Sequence, residues 1–311
     1  MLFLCLAFPV QAQESFRVVF WNVENLFDCK DDPHKNDNEF LPDSKRNWTP
    51  FRYWQKVRNL AKGIIASGND YVPDLVGLCE VENDSCLYDL TRRSPLREAG
   101  YRFVMTDSPD QRGIDVALLY QRAKFKLLQH QSIRIPHKQL NRGATRDILH
   151  VIGQVVSGDT LDVMVCHFPS RSGGQAESEP YRIFVAETLK HYVDSLLEVR
   201  SQPYIIVMGD FNDVPSAAQF DMLDNILVNK SDSLHAAGRG TIRYEGKWDL
   251  IDMFLVSSNI EGHSVMDIPE VPFLMTRESR HAGEKPLRTY SGPRYLGGVS
   301  DHLPVVLYFR N

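Results

Sequence analysis

The chain has 311 residues, 43% of them hydrophobic and 24% charged, with a formal net charge of −5. These are globular values, which exclude a chain too polar to bury a core. A sequence pI near 6.1 also excludes a uniformly basic face, so any surface that grips phosphates must be local.

Residues 1–12, running from Met1 through Leu6 and Pro9 to Ala12, form a short apolar stretch that ends Val10-Gln11-Ala12. This reads as the apolar region and cleavage site of a secretory signal, although the usual positive start is missing. It is too short to span a bilayer. The expectation is export, to the periplasm or beyond, with residues 13–311 forming one domain and no transmembrane segment in the mature chain. Cys5 would be lost with the signal. Cys79 and Cys166 lie in apolar runs and read as core residues. Pairing of Cys29 with Cys86 is left open by the spacing.

Phe16 to Asn22 reads as the first strand, and the polar stretch from Phe27 to Asn47 as a loop. Thr49-Pro50 then opens a helix, with Thr as cap and Pro in the first turn. Trp54, Val57, Leu60, Ala61, Ile64 and Ile65 give it one apolar face. A strand follows at Leu75 to Glu80, then a helical stretch from Val81 to Ala99. Phe103 to Met105, Ile114 to Tyr120, Lys124 to Ile133, Asp147 to Val156 and Thr160 to His167 read as successive strands. Pro180 is expected to open a long helix carrying Ile183, Phe184, Ala186, Leu189, Tyr192, Val193 and Leu196. The strand Tyr204 to Asp210 follows, then a helical region from Ala217 to Leu227. Trp248 to Val256, Ile260 to Met266 and Pro304 to Arg310 complete the strands, and Glu270 to Val299 reads as a long loop.

Strands and helices thus alternate in two blocks with no linker between them. The fold expected is a single α/β domain of two mixed sheets packed face to face with helices outside. Four apolar runs in it end in a residue capable of acid–base, metal or hydrogen-bond chemistry. Val18 to Trp21 ends in Asn22, Leu75 to Cys79 in Glu80, Leu161 to Cys166 in His167, and Tyr204 to Gly209 in Asp210. Gly209 is expected to let the chain turn sharply there. Polar groups delivered from rigid strands to one rim are where a metal ligand or a general base belongs.

Two further elements complete a set. Asp252 interrupts the apolar run Leu250-Ile251-Asp252-Met253-Phe254, and Gly298-Val299-Ser300-Asp301-His302 precedes the last strand. With Gly209-Asp210-Phe211-Asn212 and the upstream Glu80, this order resembles the endonuclease/exonuclease/phosphatase superfamily. That group contains pancreatic-type deoxyribonucleases, AP endonucleases, neutral sphingomyelinases and inositol polyphosphate 5-phosphatases. The resemblance runs from Phe16 to Asn311 and suggests a secreted bacterial member with the deoxyribonuclease-like α/β/β/α sandwich.

The resemblance implies roles position by position. Glu80 matches the metal-ligating glutamate, with Asn22 beside it and Asp301 as a second acid near the metal. Magnesium or manganese is implied, a hard cation that keeps several waters. Asp210 matches the aspartate that activates water, and Asn212 the residue that holds the water or a phosphate oxygen. His302 matches the histidine at the scissile phosphate, with Asp252 fixing its tautomer. His167 resembles the histidine of the deoxyribonuclease, sphingomyelinase and 5-phosphatase branches, and Asp115 is expected to pair with it across adjacent strands. Arg171, in the Gly-rich turn after His167, together with Arg112, Arg142 and Arg146, are the phosphate-contact candidates.

Phosphoester hydrolysis needs a polarised phosphoryl group, an activated water in line and stabilisation of the transition-state charge. The set supplies all of these. The substrate expected first is a phosphodiester, with nucleic acid as the leading class, acted on by a monomer. The alternatives are an inositol polyphosphate phosphatase, a sphingomyelinase-like phosphodiesterase, and a non-catalytic binding module on the same scaffold.

Overall fold

The computed structural model describes residues 15–69, 71–136 and 143–309. The expected signal segment and Arg142 lie outside them. In chain order, β1 is Phe16–Leu26, α1 Pro50–Ser67, β2 Leu75–Val81, α2 Asp84–Arg92, β3 Arg102–Met105, β4 Asp115–Tyr120 and β5 Phe125–Ile133. Then come β6 Ile148–Val155, β7 Thr160–His167, α3 Gln175–Val199, β8 Tyr204–Asp210, β9 Val228–Asn229, β10 Ile242–Tyr244, β11 Lys247–Asp249, β12 Asp252–Val256 and β13 Ser264–Asp267. Finally β14 Met275–Arg277, β15 Glu284–Pro286, β16 Tyr290–Ser291 and β17 Arg294–Tyr295 precede β18 Val305–Phe309.

Two six-stranded sheets form the body, ordered β13-β18-β1-β2-β4-β3 and β5-β6-β7-β8-β12-β9. Both are mixed. Each contains one parallel pair, β1 with β2 and β7 with β8, and its remaining neighbours run antiparallel. The fold is therefore the α/β sandwich that the alternation of elements predicts.

Period-two side-chain alternation places the two faces of the second sheet in different cores. Val163, Val165, Ile206, Met208 and Phe254 join the large cluster that contains β1, β2, β4 and α1. Met164, Cys166, Ile205, Val207 and Met253 instead pack with Val185, Ala186 and Leu189 of α3. The sheets approach closely where Gly77 on β2 faces Met208, since a Cβ there would come 2.8 Å from the Met208 side chain.

Several element expectations are corrected. The Val81 to Ala99 stretch splits into α2, capped by the Asn83 side chain on Cys86 N–H, and a 3-10 helix at Pro95–Ala99. Pro180 does not open α3; the helix starts at Gln175 and carries Pro180 inside it, on an exposed face where a missing hydrogen bond is tolerated. Ala217 to Leu227 is turns around one 3-10 helix at Ala218–Phe220, because Gln219 turns inward to donate to Phe211 O. Trp248 to Val256 breaks into β11 and β12, and Ile260 to Met266 becomes a helical turn followed by β13. The expected loop from Glu270 to Val299 contains two small hairpins, β14–β15 and β16–β17.

Gly209 lies within β8 and makes no left-handed turn. Its need for glycine is close approach, because a Cβ there would sit 2.5 Å from Cys166 O on β7. Cys29 and Cys86 are free thiols, so the pairing left open is not made. No helix among the described residues is long and apolar enough to cross a membrane.

Candidate active site

The two parallel pairs carry the site at their carboxyl ends, where strands of open α/β sheets commonly present binding groups. Asn22 pairs in register with Cys79 across β1 and β2. On the other sheet His167, Asp210 and Asp252 form one row across β7, β8 and β12. Both rows face the same gap, so the residues converge although they span most of the chain.

Four residues beside them in the chain hold an unusual backbone. Glu24, Asn25, Glu80 and Asn212 have φ of 48°, 58°, 63° and 53°, in the left-handed region that non-glycine residues avoid. Such strain costs on the order of 1–3 kcal/mol per residue and clusters at functional sites. Here it bends both parallel strands: registers shift between Asn22 and Leu26 on β1 and between Cys79 and Val81 on β2. Asn25 N–H then donates to Glu80 Oε2 at 2.9 Å, fixing the carboxylate.

Asp210 is the hub. Its Oδ2 accepts from Asn22 Nδ2 at 2.9 Å and its Oδ1 from Asn212 N–H at 2.9 Å. Two imidazoles flank the same Oδ2, His167 Nε2 at 3.7 Å and His302 Nε2 at 3.9 Å. These gaps exceed hydrogen-bond length, so both Nε2 atoms keep their capacity for a substrate oxygen. Burial raises the Asp210 pKa to about 7, His302 opposing and Asp252 adding to the rise.

The two histidines are tuned in opposite directions. His302 Nδ1 is 2.8 Å from Asp252 Oδ2. Burial alone would lower its pKa, but the Asp252 and Asp210 carboxylates override that and hold it well above the ordinary imidazole value. Ser300 positions the ring's backbone, accepting from His302 N–H at 3.0 Å while donating to Asn22 O at 2.6 Å. His167, by contrast, is pushed well below the ordinary value by burial and by Arg146, Arg112 and His302. One imidazole is built to be a cation and the other to stay neutral.

The expected Asp115–His167 pair is not formed. Asp115 is on β4 of the first sheet and His167 on β7 of the second, so their strands are not neighbours. Asp115 Oδ1 instead accepts from Thr106 Oγ1 at 2.6 Å, from Ser108 N–H at 2.8 Å and from Ser108 Oγ. Asp115→Ala is expected to lower stability by about 1–3 kcal/mol through those stranded donors. The pH profile of turnover should be unchanged. Thermal melts and pH–rate curves check this, and a displaced profile would restore a catalytic link.

The arginine candidates also separate. Arg171 is engaged by Asn212 O at 2.9 Å, Asp249 at 3.0 Å and Asp213 at 3.0 Å, so it braces the loop after β8 instead of facing a phosphate. Arg146 is buried, donating to Phe168 O at 2.6 Å and to Asp110 at 3.3 Å. Arg112 is about half exposed, 3.9 Å from Asp110, and is the freest of the three.

The sequence reading missed Glu24, Lys56, Arg288 and Thr289. Glu24 accepts from Thr289 N–H at 2.6 Å and from Arg288 at 3.1 Å, and Arg288 reaches Asp301 at 3.0 Å. Lys56, buried on α1, donates to Glu24 O and to Thr289 Oγ1 at 2.7 Å. Burial lowers its pKa to about 8, while burial and Asp301 raise that of Glu24 to about 7. A signal existed: Lys56 occupies the buried stripe of α1 beside Tyr53, Val57 and Leu60.

The oxygen donors fit a hard cation. Among the described residues, Glu80 Oε1 has no closer partner than His167 Nε2 at 3.9 Å, and Asp301 Oδ2 has Arg288 while its other oxygen has no hydrogen bond. Asn22 Oδ1 accepts from Glu24 N–H at 3.0 Å and retains one lone pair. Asp210, Asp252 and His302 also lie within ligand range of one another, but the Asp252–His302 hydrogen bond already occupies that group.

The chain matches the Endonuclease/Exonuclease/phosphatase family over residues 17–311, and it belongs to that family. Members are phosphoester hydrolases and generally use divalent metals. Solved structures agree in fold at low identity. An endonuclease/exonuclease/phosphatase family protein from Bacteroides thetaiotaomicron is 16% identical with a TM-score of 0.64, over 94% of this chain and 97% of that one. A mannosyl-6-phosphatase of the same organism is 17% identical with a TM-score of 0.63, over 94% and 98%. D. rerio TDP2 complexed with a single-strand DNA product is 15% identical with a TM-score of 0.59, over 96% and 99%. No curated protein matches the chain.

Proposed function

We propose that the chain is an exported, divalent-metal-dependent hydrolase of phosphodiesters, with nucleic acid as the first substrate class. The observation that carries this reading is Asp210 flanked by two imidazoles at 3.7 and 3.9 Å, one tuned to be charged and one neutral. Glu80 and Asp301, with Asn22 alongside, would hold a Mg2+ or Mn2+ ion, which would polarise the phosphoryl group. Asp210 takes the proton of the attacking water, and Asn212 Oδ1 orients it, its Nδ2 being committed to Phe168 O at 3.0 Å. His302, kept cationic by Asp252, donates to a phosphoryl oxygen and offsets the transition-state charge. His167 donates a neutral N–H to a second oxygen, and Arg112 contacts the flanking phosphate.

A second reading, hydrolysis of an inositol or sugar phosphate monoester, is favoured by the net charge of −5 and by the commitment of Arg146 and Arg171 to internal carboxylates. Few cations remain for the repeated phosphate contacts that a duplex demands. A panel of single- and double-stranded DNA, RNA, bis-p-nitrophenyl phosphate, inositol phosphates, mannose 6-phosphate and sphingomyelin, with and without EDTA, decides between them. EDTA-sensitive cleavage of the model diester and of a nucleic acid supports the first reading. Cleavage of monoesters alone supports the second, and absence of any EDTA-sensitive turnover refutes both. Export is read from the apolar residues 1–12; recovery outside the cytoplasm of a chain starting at Gln13 would support it, and an uncleaved chain retained in the cytoplasm would refute it.

A further inference from the structure

Cys79 is a buried side chain at this centre that the proposed hydrolysis does not use. Consecutive side chains of a strand normally point to opposite faces. The left-handed backbone of Glu80 breaks that alternation at the end of β2, and the register with β4 shifts there. As a result the Cys79 thiol and the Glu80 carboxylate both reach His167. Ligand atoms of Cys79, His167 and Asp210 all lie within 4.8 Å of one another. Cys79 is fully buried, and His167 and Asp210 are 5% and 2% exposed.

A second observation points to an ion there. His167 Nε2 faces this group, 3.7 Å from Asp210 Oδ2, and makes no hydrogen bond among the described residues. A neutral imidazole offers a cation the lone pair of that nitrogen. Sulfur, imidazole nitrogen and carboxylate oxygen make a three-ligand set typical of zinc, with a fourth position left for water. A hard ion such as Mg2+ takes oxygen in octahedral geometry and is a poor match for a thiolate. Tetrahedral zinc ligands stand roughly 3.5 Å apart, so each pair, now within 4.8 Å, has to close by about 1.3 Å or less.

We propose that Cys79, His167 and Asp210 form a second, softer cation site that binds Zn2+ and, in doing so, withdraws Asp210 from the attacking water. Zinc is then an inhibitor of this chain. On binding, a Zn–S bond replaces the S–H bond of Cys79 and the thiol proton passes to water, with no change of oxidation state. The inhibitory consequence rests on the role given to Asp210 above; the binding itself does not.

The test therefore has a binding arm and an activity arm. Metal-free protein is titrated with Co2+ as a spectroscopic stand-in, then with Zn2+, in wild type, Cys29→Ser, Cys79→Ala and Cys79→Ser. Cys29 is the control because, among the described residues, it is the partly exposed free thiol. Wild type and Cys29→Ser should show a thiolate-to-cobalt charge-transfer band at one equivalent, displaced by zinc, while both Cys79 variants lack it. X-ray absorption of zinc-loaded wild type should give one sulfur at about 2.3 Å with nitrogen and oxygen neighbours. In assays at fixed Mg2+, the Cys79 variants should need about tenfold more zinc, or beyond that, for half-inhibition relative to their own zinc-free rates. A band that survives in the Cys79 variants, a band lost in Cys29→Ser, or an all-nitrogen-and-oxygen shell overturns the site. A chain inactive on every substrate would sink the hydrolase reading while the cobalt and absorption data still decide this one.

Discussion

Asp210→Asn is expected to lower kcat/KM by about 10³-fold on any true substrate, with the melting temperature close to wild type. The amide keeps one neighbour, because its single oxygen can accept from only one of Asn22 Nδ2 and Asn212 N–H, which donate to the two carboxylate oxygens at 2.9 Å each; removal of a buried charge offsets the loss of the other. What it loses is basicity. In the wild type, burial raises this carboxyl to about 7 before any cation is bound. A base must be unprotonated to act, so the rate should rise with pH up to that range, and a bound cation moves the rise to lower pH. In the variant that rising limb should vanish. Steady-state kinetics from pH 5 to 9 measure both effects; residual activity above a few per cent would remove Asp210 from the role of base.

Asp252→Asn should cost about 10²–10⁴-fold, by the logic of any histidine whose tautomer and charge depend on a buried carboxylate. Asp252 lies 2.8 Å from His302 Nδ1 and is fully buried. Removing its charge takes away the largest force that offsets the burial penalty on the imidazolium. The sign follows directly. His302 acts as a cation, so activity falls as pH rises through its pKa, which in wild type lies well above the ordinary value. In the variant that pKa drops, and the falling limb of the profile moves toward neutral pH. Loss of rate without movement of this limb would mean that Asp252 matters for packing and not for the charge on His302.

The strand ends were legible because their logic is local. An apolar run closed by Asn22, Glu80, His167 or Asp210 announces a rigid scaffold delivering one polar group, and the sheets do bring these together. Element ends set by tertiary contacts were less legible. Pro180 signals a helix start, yet α3 begins earlier because an exposed proline there is tolerated. Asp115 and Arg171 failed for a different reason. Whether a carboxylate meets a histidine depends on which sheet its strand joins, and β4 and β7 join different ones. Arg171 sits in a turn suited to phosphate, but Asp213 and Asp249, close in space and distant in sequence, take its guanidinium first. Lys56 was visible as a charge on an apolar stripe. Its partners Glu24 and Thr289 are 32 and 233 residues away, and no local pattern connects them.

The catalytic set is split across a seam. Asn22 and Glu80 come from one sheet and His167, Asp210 and Asp252 from the other, tied directly by the Asn22–Asp210 hydrogen bond. Turnover therefore requires the two layers to stay packed, so a variant that parts them loses activity even where each sheet keeps its own strand pairing.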